Sequence, residues 1–323
     1  MLAIVSMVTF AIFFVVPLLA GGSPDNLAAR YVGRTADAQE VTEAAERLGF
    51  HDPLYLQYGR WVKAIFVGAE YNYGPGVEHC PAPCFGYSFL DHTPVWEDIG
   101  NRLPITLSLA LGAAVIWLIV GVGVGVISAL KRGTIFDRAA MFIALSGVSM
   151  PIFFTAYVAL YIFSYSLGWT APGASYTPFT ENPAAWAYDL LVPWVTLAFL
   201  FAAAYARLTR AGMLETMSED YVRTARAKGL TERTVVTKHG LRAALTPIVT
   251  IFGLDLGLLI GGAVLTETAY SLPGLGKFAI DAINHQDLPK VMGVVTVAAF
   301  FVVFANLVVD LVYGLVDPRV RIG

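Results

Sequence analysis

Three sets of residues in this chain have types and spacings that could do chemistry: Cys80 with Cys84, Asp255 with Asp310, and the run Gly274-Leu275-Gly276-Lys277-Phe278. The cysteines lie in HCPAPC. A disulfide between them closes a very short loop, worth about 2 kcal/mol in the chain-entropy model. Zinc held by His79, Cys80, Cys84 and His92 is the weaker alternative, because one Cys pair with scattered histidines is a poor ligand pattern. Asp255, in GLDLG, and Asp310 are ionisable residues inside apolar runs. A charge at mid-membrane costs roughly 2.5–3.5 kcal/mol on insertion scales, so it turns to the bundle interior or to a wet path. For Asp255, lining a pathway and hydrogen-bonding a neighbouring helix are readings of equal weight; Asp310, nearer the end of its run, reads as a cap or ion-pair member. The Gly274–Phe278 run imitates a phosphate loop, but it lacks the upstream glycine and has Phe278 where Ser or Thr would hold magnesium. No zinc-protease or serine-hydrolase pattern occurs, and His51, His79, His92, His239 and His285 are scattered. No catalytic residue, metal ligand or bound cofactor is expected on this chain, so any energy from ATP must arrive from a partner.

The segment that could receive it is Ser218–Pro247, a basic island between two apolar runs. Its pattern predicts two short helices. Ser218 is the expected N-cap of the first, with Glu219 and Asp220 in the first turn, where the helix dipole favours acids. Arg226 and Lys228 fall in the last turn, and Gly229 is the expected left-handed stop. Thr231 caps the second helix, with Glu232 at its start and Gly240 near its end. Tyr221, Val222 and Ala225 form a modest apolar face ringed by Arg223, Arg226 and Lys228, which suits docking into a partner's groove. An amphipathic helix resting on anionic lipid explains the charge, but not the sharp turn at Gly229.

The elements that must position these residues are membrane spans. The chain is 57% hydrophobic and 14% charged, against about a quarter charged in a soluble domain. Six stretches approach the roughly 20 apolar residues a span requires: Met1–Ala20, Leu103–Leu130, Ala139–Leu167, Leu190–Ala206, Ala243–Thr266 and Val291–Val316. The first is read as a span and not a signal peptide, since it lacks a basic start and a small-residue cleavage site; its missing basic flank points to a start placed slightly late or to a trimmed chain. Lys131, Arg132 and Arg138 follow span two, Arg207 to Arg242 follow span four, and Arg319 and Arg321 follow span six, while Gly168–Asp189 has no Lys or Arg. The basic side is cytoplasmic, which puts both termini there. The expected organisation is span one at 1–20, an extracytoplasmic helical segment at 21–102, a five-helix core at 103–316 including a cytoplasmic loop at 207–242, and a cytoplasmic tail at 317–323. Gly121-x-x-x-Gly125 in span two reads as a close helix-packing face, and Met150-Pro151 as a kink in span three. The fold class is an all-α polytopic membrane protein.

Arg223-Thr224-Ala225-Arg226-Ala227-Lys228-Gly229 resembles the EAA loop of bacterial ABC importer permeases. That loop runs Glu-Ala-Ala, three residues, Gly, nine residues, then Ile-x-Leu-Pro. Here Arg223 stands for the Glu, and His239-Gly240-Leu241-Arg242 for the final motif, as in the dipeptide/oligopeptide/nickel branch. Leu48–Trp61, Phe85–Phe89, Arg102–Leu111, Thr266–Ile283 and Asn306–Arg321 resemble the B-type permease of that branch, so the likeness covers nearly the whole chain. The resemblance implies the six-helix type I importer fold in a bacterial cytoplasmic membrane. It implies pairing with a second, related permease, with two ATP-binding subunits (or one fused ATPase) that carry ATP and magnesium, and with an extracytoplasmic substrate-binding protein. Tyr221, Val222, Arg223, Thr224, Ala225, Arg226, Lys228 and Gly229 would then couple to the ATPase. Di- and oligopeptides are the expected cargo, with nickel chelates, glutathione or another small solute as the alternative. A secondary transporter acting alone draws on Asp255, and a membrane-embedded hydrolase lacks any motif. Membrane lipid is an expected contact; nucleic acid is not.

Overall fold

A computed structural model describes residues 1–323 apart from 33–36, 73–75, 89, 171–174 and 317–323. The expected tail at 317–323 therefore lies outside the described residues.

In chain order the helices are α1 Leu2–Leu19, α2 Pro24–Val32, α3 Ala38–Arg47, α4 Leu54–Val67, α5 Val95–Leu130, α6 Ile135–Ser149, α7 Ile152–Ser166, α8 Pro183–Ser218, α9 Asp220–Ala227, α10 Glu232–Ile260, α11 Val264–Ala269, α12 Leu275–His285 and α13 Leu288–Val316. Two small antiparallel hairpins precede α5: β1 Ala69–Asn72 with β2 Val77–Cys80, and β3 Tyr87–Ser88 with β4 Thr93–Pro94. Among the described residues five helices are long and apolar enough to cross a membrane, and six spans result when α6 and α7 count as one, bent by 106°. The bend falls at Met150-Pro151, where the Pro151 ring removes the donor that would continue α6.

Several helices outrun the apolar runs that announce them. The fourth continues past Arg207 to Ser218, the second begins at Val95, and the fifth begins at Glu232, although it ends at Ile260, short of the expected Thr266. Apolarity marks the part of a helix that lipid can cover; the backbone hydrogen bonds continue until a cap or a glycine stops them. The expected second short helix of the island is accordingly the first turns of α10, carried from Thr234 to Arg242 by a π-type turn over Val235–Leu241.

The chain divides into two compact units, one of Met1–Thr106 with Pro273–Val303, the other of Leu107–Leu272 with Phe304–Gly323. In the first unit, Phe10 and Phe14 of α1 pack with Leu27, Ala28, Phe50 and Met292. Ser6 and Tyr58 share a 2.8 Å hydrogen bond. Asp37 caps α3 in a reciprocal box with Glu40, which satisfies two of the orphan amide donors at that end. Cys80 and Cys84 are bonded to each other, fully buried beneath Ala64 and Tyr71. Lys290, only 6% exposed, is ion-paired with Asp91, Asp98 and Asp287. Burial pushes the Asp287 carboxyl above its ordinary range, against the opposing pull of Ser88 and Lys290.

In the second unit, α5 meets α8 through glycine. A Cβ on Gly121 would lie 2.8 Å from the Tyr205 Cβ, and one on Gly125 would lie 2.6 Å from the Ala206 carbonyl oxygen. The neighbouring Gly123 faces open space. This is the small-residue crossing that the Gly-x-x-x-Gly spacing permits. Gly147 brings α6 against Phe199 and Ala203 of α8 in the same way.

Candidate functional site

The short helix α9 stands between the ends of α8 and α10. Glu219, extended at ψ 149°, is its N-cap, and Asp220 occupies the first turn. Ser218 does not cap it: this residue closes α8, and its hydroxyl donates to the Glu215 carbonyl. The C-terminal end is a Schellman closure. The Gly229 amide donates to the Arg226 carbonyl and the Leu230 amide to the Ala225 carbonyl, with Gly229 at φ +79°. Nothing lies within 4 Å of the point where a Gly229 Cβ would sit, so this glycine serves backbone conformation and not packing.

Arg226 then fastens the turn. Its Nε and NH2 donate to the two Glu232 carboxylate oxygens at 3.2 and 2.8 Å, joining the end of α9 to the start of α10. Those bonds hold the guanidinium above its ordinary pKa, so Arg226 keeps its charge throughout the usable pH range.

The apolar face of α9 is turned differently from the sequence reading. Val222 and Ala225 are buried within this chain, packed on Val235 and Met217. Their small apolar side chains pack α9 onto its own chain. Tyr221, Arg223, Thr224 and Lys228 are exposed. Tyr221 keeps 47% of its surface free and donates a long hydrogen bond to the His239 carbonyl. Burial of its remaining surface, and then the Glu219 charge, push its phenol up. Arg223 is held loosely by Asp220 at 3.3 Å. Of the eight residues expected to couple, five side chains lie at the surface, two point inward, and Gly229 shapes the turn.

Two turns before α8 ends, Arg210 takes part in a polar lock that sequence reasoning missed. Asp137, at the start of α6, accepts from Arg210 Nε at 2.7 Å and Arg210 NH2 at 2.9 Å, from the Gly133 amide at 2.9 Å and from the Ser128 hydroxyl. Arg210 reads in the sequence as a topology marker. The available signal was Thr134-x-x-Asp137, a capping spacing, and Thr134 does cap α6.

Asp255 lies away from the island. Its Oδ2 accepts from the Tyr205 hydroxyl at 2.9 Å. Tyr205 is fully buried against Trp117, whose ring also contacts Phe201 and Phe252. Asp255 itself is half-buried, and among the described residues no basic side chain lies within ion-pair distance of it. The side chain of Asp310 lies outside what is described.

Residues 121–322 match the family model described as binding-protein-dependent transport system inner membrane component, and residues 1–110 match its N-terminal companion. The chain is 38% identical over 337 residues to the di/tripeptide transport system permease protein DppB of Pseudomonas aeruginosa, spanning 98% of this chain and 94% of that one. It is 35% identical over 341 residues to the dipeptide transport system permease protein DppB of Escherichia coli K12, with the same coverage. A chain of the inward-facing MetNI methionine ABC transporter superposes with a TM-score of 0.55 at 20% identity, covering 69% of this chain and 97% of that one. That last likeness concerns the fold alone.

Proposed function

This chain belongs to the family of binding-protein-dependent transport system inner membrane components, and we propose that it is the transmembrane permease subunit of an ATP-driven importer of di- and oligopeptides. It is a multi-pass membrane protein and a transport subunit. The observation that carries the mechanism is α9: a short helix with a charged outer face, fastened at its C-terminal end by Arg226 and Glu232, standing between two membrane-spanning helices in a chain without a nucleotide loop.

In this reading the ATPase partners hold ATP and magnesium, and this chain does no chemistry. Tyr221, Arg223, Thr224 and Lys228 meet a groove of an ATPase subunit, while Val222 and Ala225 tie α9 to α10, and Arg226 and Gly229 fix the turn between them. Because α9 is packed on α10 and abuts α8, closure of the ATPases would move the ends of two spans together. A second related permease supplies the other half of the pathway, and an extracytoplasmic binding protein delivers the peptide. Both termini lie in the cytoplasm, which follows from the basic loops. The full-length likeness to dipeptide and di/tripeptide permeases supports peptide cargo over nickel chelates or glutathione.

The test is reconstitution. The complete complex in liposomes, with binding protein and ATP, is expected to accumulate a labelled dipeptide. This chain alone is expected to accumulate none. Uptake by the purified chain without any ATPase would replace this reading with that of a stand-alone carrier.

A further inference from the structure

The polar group of α10 and the groove beside it fit one kind of ligand. Ile248, Phe252 and Asp255 are spaced i, i+4 and i+7, which puts them on one face of the helix. Ile248 and Phe252 line a groove of about 370 Å³ between α10 and α5, closed on the other side by Leu118, Ile119 and Val122. Its walls are aliphatic and aromatic. Asp255 follows Phe252 by three residues, about 4.5 Å along the axis. Asp255 thus shares the helix face that borders the groove, although it is not one of the residues that line it.

That carboxyl group is held and yet unmatched. Tyr205 donates to Oδ2, and the buried Trp117 ring backs Tyr205, so the group is oriented from behind. Among the described residues no other side chain donates to it and no cation pairs with it. An ionisable group in a span has a marked cost unless something polar or charged meets it. An apolar groove on the same helix face as an oriented carboxyl group has the chemistry to take an α-amino group next to an apolar side chain.

We propose that Asp255, oriented by Tyr205, is the binding residue that receives the N-terminal ammonium group of a peptide in transit, with the groove beside it taking the first apolar side chain. The proposal rests on the peptide-importer reading and adds to it a location and a charge requirement. Tyr205 acts as a positioning residue. Two observations support it independently: the unpaired carboxyl group, and the groove that shares its helix face.

The experiment uses the whole importer in liposomes, with Asp255→Asn and Asp255→Glu compared with wild type. Asn keeps the size and hydrogen-bonding capacity of Asp and removes its charge; Glu keeps the charge. The readouts are uptake of labelled leucyl-alanine and ATPase activity stimulated by the binding protein. Loss of a charge-assisted contact should lower uptake by about tenfold in Asp255→Asn, with stimulated ATPase within about twofold of wild type and most uptake recovered in Asp255→Glu. Wild-type uptake in Asp255→Asn overturns the proposal and leaves the importer reading intact. Parallel loss of uptake and ATPase in both variants also overturns it, because that is the signature of a structural role. Absence of peptide uptake by the wild-type complex, with ATPase still stimulated, overturns the peptide reading and this proposal with it.

Discussion

Arg210 holds Asp137 by both carboxylate oxygens, at 2.7 and 2.9 Å. The pair joins the start of α6 to α8 two turns before α8 ends, next to the segment that carries α9. A partly covered ion pair is weak evidence for stability in itself, but removing one partner leaves the other charge unmet. Arg210→Met should therefore lower the thermal midpoint of the purified complex more than the paired change Asp137→Leu with Arg210→Met. Equal loss in the single and double variants would show that the pair does not act as a unit. The measurement is a melting curve in one detergent for both.

Gly229 sits at φ +79° with open space where a side chain would project. Substitution there meets backbone strain and no clash. A left-handed residue with a Cβ costs roughly 1–2 kcal/mol, less for Asn, whose side chain tolerates that region. Gly229→Val should reduce binding-protein-stimulated ATPase and uptake by about 5- to 30-fold while membrane insertion stays normal, if the turn unwinds to relieve that strain. Gly229→Asn should retain most activity. Equal damage from Val and Asn would point to a contact made by the partner at this position. Arg226→Glu should abolish uptake as well, since it sets two carboxylates against each other where Arg226 and Glu232 now pair.

Thr224 and Val222 lie on opposite sides of α9, one exposed and one fully buried. Single cysteines at the two positions therefore give opposite results. In the assembled complex Thr224→Cys should cross-link to an ATPase subunit with a short bifunctional reagent, and Val222→Cys should not. Cross-linking from position 222 alone would mean that α9 detaches from Val235 and Met217 to expose its apolar face.

Much of this arrangement is legible in the sequence, and the remainder is hidden for identifiable reasons. Length and apolarity locate every span, and Gly229 announces its turn because few other residues fit a left-handed stop. The orientation of α9 is not legible. Tyr221, Val222 and Ala225 form an apolar stripe, but a stripe does not say whether it covers a partner or its own chain, and here Val235 takes Val222 and Ala225 while Tyr221 stays exposed. Helix ends are obscured where charged residues with good helix propensity continue the backbone, as Arg207 and Arg210 do in α8. The lock between Asp137 and Arg210 spans 73 residues of sequence, and no local pattern reports a contact at that distance. The two small hairpins escape because strands of two to four residues carry almost no periodic signal.

The glycines of α5 provide a test with its own control in the same turn of helix. A Cβ on Gly125 would come within 2.5 Å of Thr209 Cβ, and one on Gly121 within 2.8 Å of Tyr205 Cβ, whereas one on Gly123 would meet nothing within 4 Å. Tyr205 is also the residue that orients Asp255, so pressure at Gly121 is transmitted to that hydrogen bond. Overpacking a close crossing costs about 1–3 kcal/mol, and backbone atoms such as the Ala202 and Ala206 carbonyls near these glycines cannot move aside as a flexible side chain would. Gly125→Leu and Gly121→Leu should each lower the yield of monodisperse complex and its melting point, while Gly123→Leu should leave both close to wild type. Insertion measured by protease protection should be normal in all three, because each change adds apolar surface to a span. A Gly123→Leu variant as damaged as Gly125→Leu would mean that the face left open by α8 is covered by another chain in the assembled importer.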